Sequence, residues 1–367
     1  MKKQIPSINP ITRRAFALSS IALTALTLSS FAAASAADKD IKSYCLDFNW
    51  GGRRSFAAPG TWAGADPAAH VAWYKAMGAN VIQTFAVSCN GYAWYKNGFV
   101  PEQPGLKNDF LPEVVKLGHK EGMLVFGYFC IASNPKWAKD HPELSYGAPA
   151  TYHIPYTDEY LAYLSASIQD AVTKTGMDGF MIDWVWMPNR AATTNQWLAC
   201  EKKLYQQLMG EEFPGEAKLS PEQDLAYSRK AIDRCWKVIR KAAKDANPNC
   251  IIWLTSNNTM HPHVVNSDMY KEADWLMNEG GSIKGVDDIK AMVGKHTRLI
   301  TCLARWNGQD ATKVVFLGSF LGSGVASSSF LGSFWGQVSH HNIHFCFWGL
   351  FGVRCRIITF SQFRSFF

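Results

Sequence analysis

Polar residues at the ends of short apolar runs are the first place to look for chemistry in this sequence. Seven such runs lie between residues 44 and 304. Their C-terminal ends carry Asp47, Asn49 and Trp50; Gln83 and Thr84; Tyr128; Asp183 with Trp184 and Trp186; Asn257 and Asn258; Asn278 and Glu279; and Arg305, Trp306 and Asn307. The set is made of carboxylates, amides and tryptophans. It has no nucleophile elbow with Ser-His-Asp order, no H-E-x-x-H and no phosphate loop. Two carboxylates and aromatic platforms are what cleavage of a glycosidic bond requires. One carboxyl protonates the departing oxygen, and the other attacks the sugar carbon or activates water. Trp faces pack on the apolar sides of sugar rings, while amides and Arg bind hydroxyls.

Asp183 follows Phe180, Met181 and Ile182, which puts an anionic group at the end of a buried strand. That placement is costly unless the group is hydrogen-bonded or functional. The plainer alternative is an Asp capping a strand–loop junction. Glu279 also ends an apolar run and precedes Gly280 and Gly281, a pair that permits a tight turn; its plainer alternative is a solvated loop residue. Asp178 and Gly179 lie at the opposite end of the same strand as Asp183 and have a structural role. His153 and Tyr156 could reach a cleft from the loop after the third run, or pack within it. His261-Pro262-His263 and His340-His341 lack a third spaced ligand, so no metal or other cofactor is expected.

The runs must be held by a scaffold, and their spacing names it. Apolar runs at 44–50, 80–86, 123–130, 178–186, 250–256, 273–279 and 298–304 alternate with helical patterns. Asp66-Pro67 opens the first helix as N-cap and first helical residue, Gly122 terminates the second (109–121), and others are expected at 157–175, 221–246 and 286–293. Alternating βα units predict a parallel sheet in an α/β protein. Seven units in this length fit a (β/α)8 TIM-like barrel, which needs about 250 residues. The rival doubly wound sheet would want a glycine-rich first turn, and residues 49–54 hold no G-x-G-x-x-G. The eighth unit falls in an abnormal C-terminal tail, so the barrel is expected to be incomplete there, with 353–360 as a weak candidate strand and a helix starting at Asp310.

Charge separates the ends from the middle. The chain has 367 residues, 37 Lys+Arg, 30 Asp+Glu and a net charge of +7. Residues 1–36 contribute four of those positive charges, and residues 314–367 contribute three through Arg354, Arg356 and Arg364. What is left, 37–313, is neutral, which argues against nucleic acid as a partner. Residues 1–36 read as an export signal: Arg13-Arg14, an apolar stretch from 21 to 34, then Ala34-Ser35-Ala36. A stable membrane anchor is not expected, because the stretch is short for a span of about 20 residues. Cleavage near Ala36 and a periplasmic or secreted location in a bacterium follow. The nine cysteines contain no CxxC pair and read as buried free thiols. Residues 314–367 hold 11 of the 22 Phe, repeat Phe-Leu-Gly-Ser three times and contain no acidic residue. We read this tail as out of frame, with a membrane segment as the alternative; an intact frame on resequencing would exclude the first.

The stretch at 176–184, GMDGFMIDW, resembles the fourth-strand motif of retaining glycoside hydrolases with barrel folds. It is similar to the alpha-L-fucosidase-like and alpha-galactosidase-like groups, whose nucleophile is an Asp ending strand four. The resemblance implies Asp183 as nucleophile. The alpha-galactosidase-like clan places its acid on strand six, which implies Glu279 as acid/base; in the fucosidase-like group the acid varies in position. The alpha-amylase family differs, with an Arg where Met181 stands and its acid Glu on strand five, where this chain has Asn257 and Asn258. The resemblance therefore implies an enzyme that cleaves an alpha-linked sugar, such as fucose or galactose, with retention, and the signal at 1–36 adds export. Its partners would be an oligosaccharide or glycoconjugate and the twin-arginine export machinery. Asp47, Asn49, Trp50, Gln83, Tyr128, His153, Trp184, Trp186, Asn257, Arg305 and Trp306 would line the sugar site. Two alternatives stay open: a non-catalytic carbohydrate-binding barrel, and a glycosidase inactivated by its altered end.

Overall fold

The computed structural model describes residues 41–52, 55–146, 153–183, 185, 197–279 and 286–302, with the backbone of three strands at 314–315, 333–339 and 342–347. Strands β1 (Ser43–Cys45), β4 (Val81–Val87), β5 (Leu124–Cys130), β6 (Gly179–Asp183), β7 (Ile251–Ser256), β8 (Trp275–Asn278) and β9 (Arg298–Thr301) form one sheet in that order. Every neighbouring pair is parallel. Parallel neighbours need a crossover, and helices supply it. Helix α1 (Pro67–Ala76) links β1 to β4, and α2 (Phe110–Lys120) links β4 to β5. After the short α3 (Pro135–Asp140), α4 (Asp158–Thr175) leads into β6; α5 (Ala199–Met209) and α6 (Pro221–Ala246) lead into β7. Helices α7 (Asp268–Glu272) and α8 (Val286–Met292) precede β8 and β9. Seven parallel strands in chain order, with a helix in each crossover, make a (β/α)8-type barrel one unit short among the described residues.

Side-chain size shows that the sheet is curled. Phe126 on β5 packs against Trp275 on β8 with ring centroids 4.7 Å apart and against Trp253 on β7 at 5.4 Å, although β6 separates β5 from β7. The space between them is left by Gly179 on β6. A Cβ there would overlap the Ile251 carbonyl oxygen and stand 2.5 Å from a Phe126 ring carbon. Gly179→Ala is therefore expected to destabilise the fold by about 1–3 kcal/mol, the usual cost of overpacking. Chemical denaturation of the two proteins measures the difference; equal midpoints would show that the strand relaxes freely. Asp178, one residue earlier, is structural too: its Oδ2 accepts the Val125 N–H and contacts His119 Nε2, both at 2.8 Å.

Local signals place the helices as expected. Asp66 accepts the Ala68 and Ala69 N–H groups at the start of α1, Gly122 (φ +70°) follows α2, and Ser220 with Gln223 forms a capping box on α6. Helix α5 gives no such signal, because Leu198 at its N-cap has no capping side chain, and it was not anticipated. The first strand is shorter than 44–50. Its end is set by the Asn49 N–H, which donates to Asp47 Oδ1 at 2.8 Å, a local turn that competes with pairing. Beyond it, β2 (Trp50–Gly52) and β3 (Ser55–Phe56) form a separate hairpin. The helix expected from Asp310 is replaced at 314–315 by a strand: β10 (Val314–Val315) pairs antiparallel with β11 (Ser333–Ser339), and β11 with β12 (Asn342–Phe347). These three make a sheet of their own. The candidate strand at 353–360 lies outside the described residues. Among the described residues no helix is long and apolar enough to cross a membrane.

Candidate active site

In a parallel sheet, residues in register share a face, and alternate residues along a strand return to it. Cys45 is in register with Gln83, and Gln83 with Phe126; this row faces the interior that Phe126 fills. One step up the same face come Phe85, Tyr128, Met181, Trp253 and Trp275. Above them stand Cys130 and Asp183, in register, and Thr255 two residues beyond Trp253. Glu279 lies two residues beyond Met277, on the turn that leaves β8, and its N–H donates to the Ser256 carbonyl at 2.9 Å. Asp47, two residues after Cys45, completes the group from the first strand. The carboxylates are thus at strand ends on the carboxyl face, where barrels of this type carry their chemistry.

Asp183 is held by two hydroxyls. Its Oδ2 accepts from Tyr128 Oη at 2.7 Å, and its Oδ1 accepts from Thr255 Oγ1 at 3.0 Å. Donors aimed at a carboxylate favour its charged form. The Tyr128 phenol is pushed well above its ordinary value, first by burial and then by the Asp183 charge, so it keeps its proton and remains a donor. Cys89 Sγ lies 3.3 Å from Tyr128 Oη. Because the phenol hydrogen goes to Asp183, the thiol is the donor in that contact. Burial also raises the Cys89 thiol, which keeps that proton in place. Cys89, Tyr128 and Asp183 therefore form one directed chain.

Glu279 has the opposite surroundings. Burial and then the negative charge of Asp183 push it up to about 8; the Thr255 hydroxyl opposes them, and the Asp47 charge adds a smaller rise. Asp47 is pushed up to about 6, mainly by burial, with the Asn49 N–H pulling the other way and Asp183 adding to the rise. Glu279 therefore keeps its proton near neutral pH, beside an Asp183 carboxyl held by two hydroxyls. Paired carboxyl groups whose environments drive their proton affinities apart divide the roles of base or nucleophile and acid.

The other candidates fall into three groups. Asn49 is buried and stitches strand ends together: its Oδ1 accepts the Cys89 N–H at 2.8 Å, and its own N–H holds Asp47. Gln83 lies deeper, in register with Cys45. Tyr128 is only 3% exposed and its hydroxyl is committed to Asp183. His153 is buried and pairs with Ser133 through a single bridge. Trp50 is the open one, 41% exposed and packed on Phe56 at 5.2 Å; Asn257 is exposed as well. Trp184, Trp186, Arg305 and Trp306 lie outside the described residues. Thr255 and Cys89 were missed in the sequence. Alternation from Trp253 would have placed Thr255 on the inner face, but a Thr in an apolar strand also reads as plain strand former.

Residues 66–184 match a family model described as hypothetical glycosyl hydrolase 6. This span runs from the N-cap of α1 to the residue after Asp183 and stops short of Glu279. The glycoside-hydrolase class implied by the 176–184 resemblance is the class of that family. Similar solved structures include alpha-L-fucosidase isoenzyme 2 from Paenibacillus thiaminolyticus, with a TM-score of 0.45 and 18% identity over 59% of this chain and 32% of that one. The glycoside hydrolase domain of PgaB (BpsB) from Bordetella bronchiseptica gives 0.46 and 11%, over 62% of this chain and 76% of the domain. An alpha-amylase from Anoxybacillus gives 0.45 and 12%, over 73% of this chain and 62% of that one. The chain thus spans about a third of the length of the fucosidase. None of the curated proteins matches it in sequence.

Proposed function

We propose that this protein is a glycoside hydrolase that uses Asp183 as nucleophile and Glu279 as acid/base on an alpha-linked sugar, with retention of configuration. The observation that carries the reading is the contrast between the two carboxyl groups. Asp183 receives two hydroxyl donors, while Glu279 is pushed up to about 8 by burial and its acidic neighbours. In the first step the Glu279 proton goes to the leaving oxygen as Asp183 bonds to the sugar carbon. In the second, Glu279 as carboxylate takes a proton from water, which attacks that carbon and frees Asp183. Trp50 and Asn257, both exposed, would contact the sugar. Asp47 would accept a hydroxyl hydrogen or share negative charge with the developing oxocarbenium ion.

The alpha linkage, with fucose or galactose as the leading sugars, rests on the 176–184 resemblance. Export rests on the twin-arginine and A-x-A pattern of residues 1–36, and cell fractionation with N-terminal sequencing of the mature protein tests it. A panel of aryl alpha- and beta-glycosides on the full chain tests the activity. Release of aryl alcohol from an alpha-glycoside, with the alpha-anomer of the sugar appearing first by proton NMR, is the expected result. Sugar binding without release would favour the non-catalytic barrel, and the opposite anomer would mean inversion.

A further inference from the structure

We infer that Thr255 is a positioning residue shared by the two carboxyl groups, whose single hydroxyl hydrogen serves whichever of Asp183 and Glu279 is charged. The inference rests on the reading of those two residues as nucleophile and acid/base. Thr255 sits on β7 between the strands that carry them: Asp183 ends β6 on one side and Glu279 leaves β8 on the other. Its Oγ1 is 3.0 Å from Asp183 Oδ1. The Glu279 backbone is pinned beside it by the 2.9 Å bond to the Ser256 carbonyl, and the Thr255 hydroxyl also acts on the Glu279 carboxyl. The side chain is buried.

A hydroxyl has one hydrogen to give and two lone pairs to receive. Before reaction Asp183 is the anion, so the Thr255 hydrogen points to it, and a lone pair remains for the acid proton of Glu279. After the first step Asp183 is an uncharged ester and Glu279 has given its proton to the leaving group. Rotation about the Thr255 side chain then turns the same hydrogen toward the Glu279 carboxylate. Hydrolysis of the ester restores both partners, with no proton gained or lost by Thr255. Among the described residues the titratable groups facing the pair are Tyr128, Cys89 and Cys130 from the second and third strands, and Asp47 and Cys45 from the first. None of them contacts both carboxyl groups through one hydroxyl.

Thr255→Val keeps the shape and removes the hydroxyl; Thr255→Ser keeps the hydroxyl and loses a methyl. On the aryl glycoside that the wild type cleaves, Thr255→Val is expected to lower kcat/KM by about 10²-fold, the order seen when one preorganised donor is removed. The acid limb of its pH profile should move upward, since the Asp183 carboxylate loses a donor. Thr255→Ser should stay within about threefold of wild type, with its limbs in place. A Val variant whose limbs match wild type would overturn the inference, whatever its rate, because a packing defect alone lowers the rate without moving them. So would a Ser variant as impaired as Val. If Asp183→Asn is inactive while Thr255→Val is fully active, only this inference fails; full activity of both would remove the assignment of Asp183 as well.

Discussion

Asp183→Asn is expected to lower kcat/KM by at least about 10³-fold while leaving the protein folded. The amide is isosteric with the carboxylate, and its oxygen still accepts a hydrogen bond from Tyr128 or Thr255. In the proposed mechanism what is lost is the nucleophile, and with it the covalent route that divides one difficult step into two easier ones. Losses of this size follow removal of a nucleophile in other enzymes, where the remaining binding and electrostatic groups sustain only weak turnover. Asp183→Ala adds a second readout. It leaves a space beside the Tyr128 and Thr255 hydroxyls into which azide fits, and azide should restore turnover by forming a glycosyl azide of inverted configuration. Residual activity of Asp183→Asn above about a tenth of wild type would show that the attacking group lies elsewhere. Asp47, the third carboxyl group of the cluster, would then be the residue to replace.

Glu279→Gln is expected to remove the alkaline limb of the pH profile and, separately, to stabilise the protein at alkaline pH. For wild type, kcat/KM should fall as pH rises through about 8, because in the proposed mechanism Glu279 must be protonated to act as acid and is pushed up to about 8 by burial and by Asp183 and Asp47. The limb belongs to the coupled carboxyl group cluster rather than to one isolated side chain. Asp47→Asn should shift it to lower pH, since a like charge is removed. Rates on substrates with poor leaving groups should drop by about 10²–10⁴-fold in Glu279→Gln, with much smaller losses for activated aryl leaving groups that need no proton. Stability follows the same titration with a definite sign. A carboxyl group with a raised folded-state value favours folding at pH below its ordinary value of 4.5, and that advantage is lost as pH rises toward 8. At pH 8 the Glu279→Gln variant should therefore unfold at higher denaturant than wild type, by about 4 kcal/mol from 1.4 kcal/mol per unit. The gap should close near pH 4. Parallel denaturation curves at pH 5 and 8 decide it without any substrate, and equal stability at both would place Glu279 in water.

Much of the architecture could be read along the chain because its signals are local. The Asp66-Pro67 start, the glycines after 121 and 175, and the Ser220 capping box act within one helical turn, and the apolar runs between them gave seven parallel strands in order. Where a local side chain competes with pairing, as Asp47 does through the Asn49 N–H, the strand ended sooner than the apolar run. Where no cap exists, as before α5, the helix went unseen.

Asp183 and Glu279 could be selected from sequence for one reason: a carboxyl group at the end of an apolar run needs an explanation wherever it is found. The residues themselves did not tell their roles apart, because both read as anions; only the resemblance at 176–184 did. That difference comes from partners 55 and 72 positions away, Tyr128 and Thr255 for Asp183, and from like charges brought beside Glu279 by a curled sheet. Curling itself depends on Gly179 leaving room for Phe126 to meet Trp275. The chain alone therefore determined which residues stand at strand ends. Only the curling of the sheet decided which of them keeps a proton, because proton affinity depends on burial and neighbouring charge, and both are set by residues far apart in sequence.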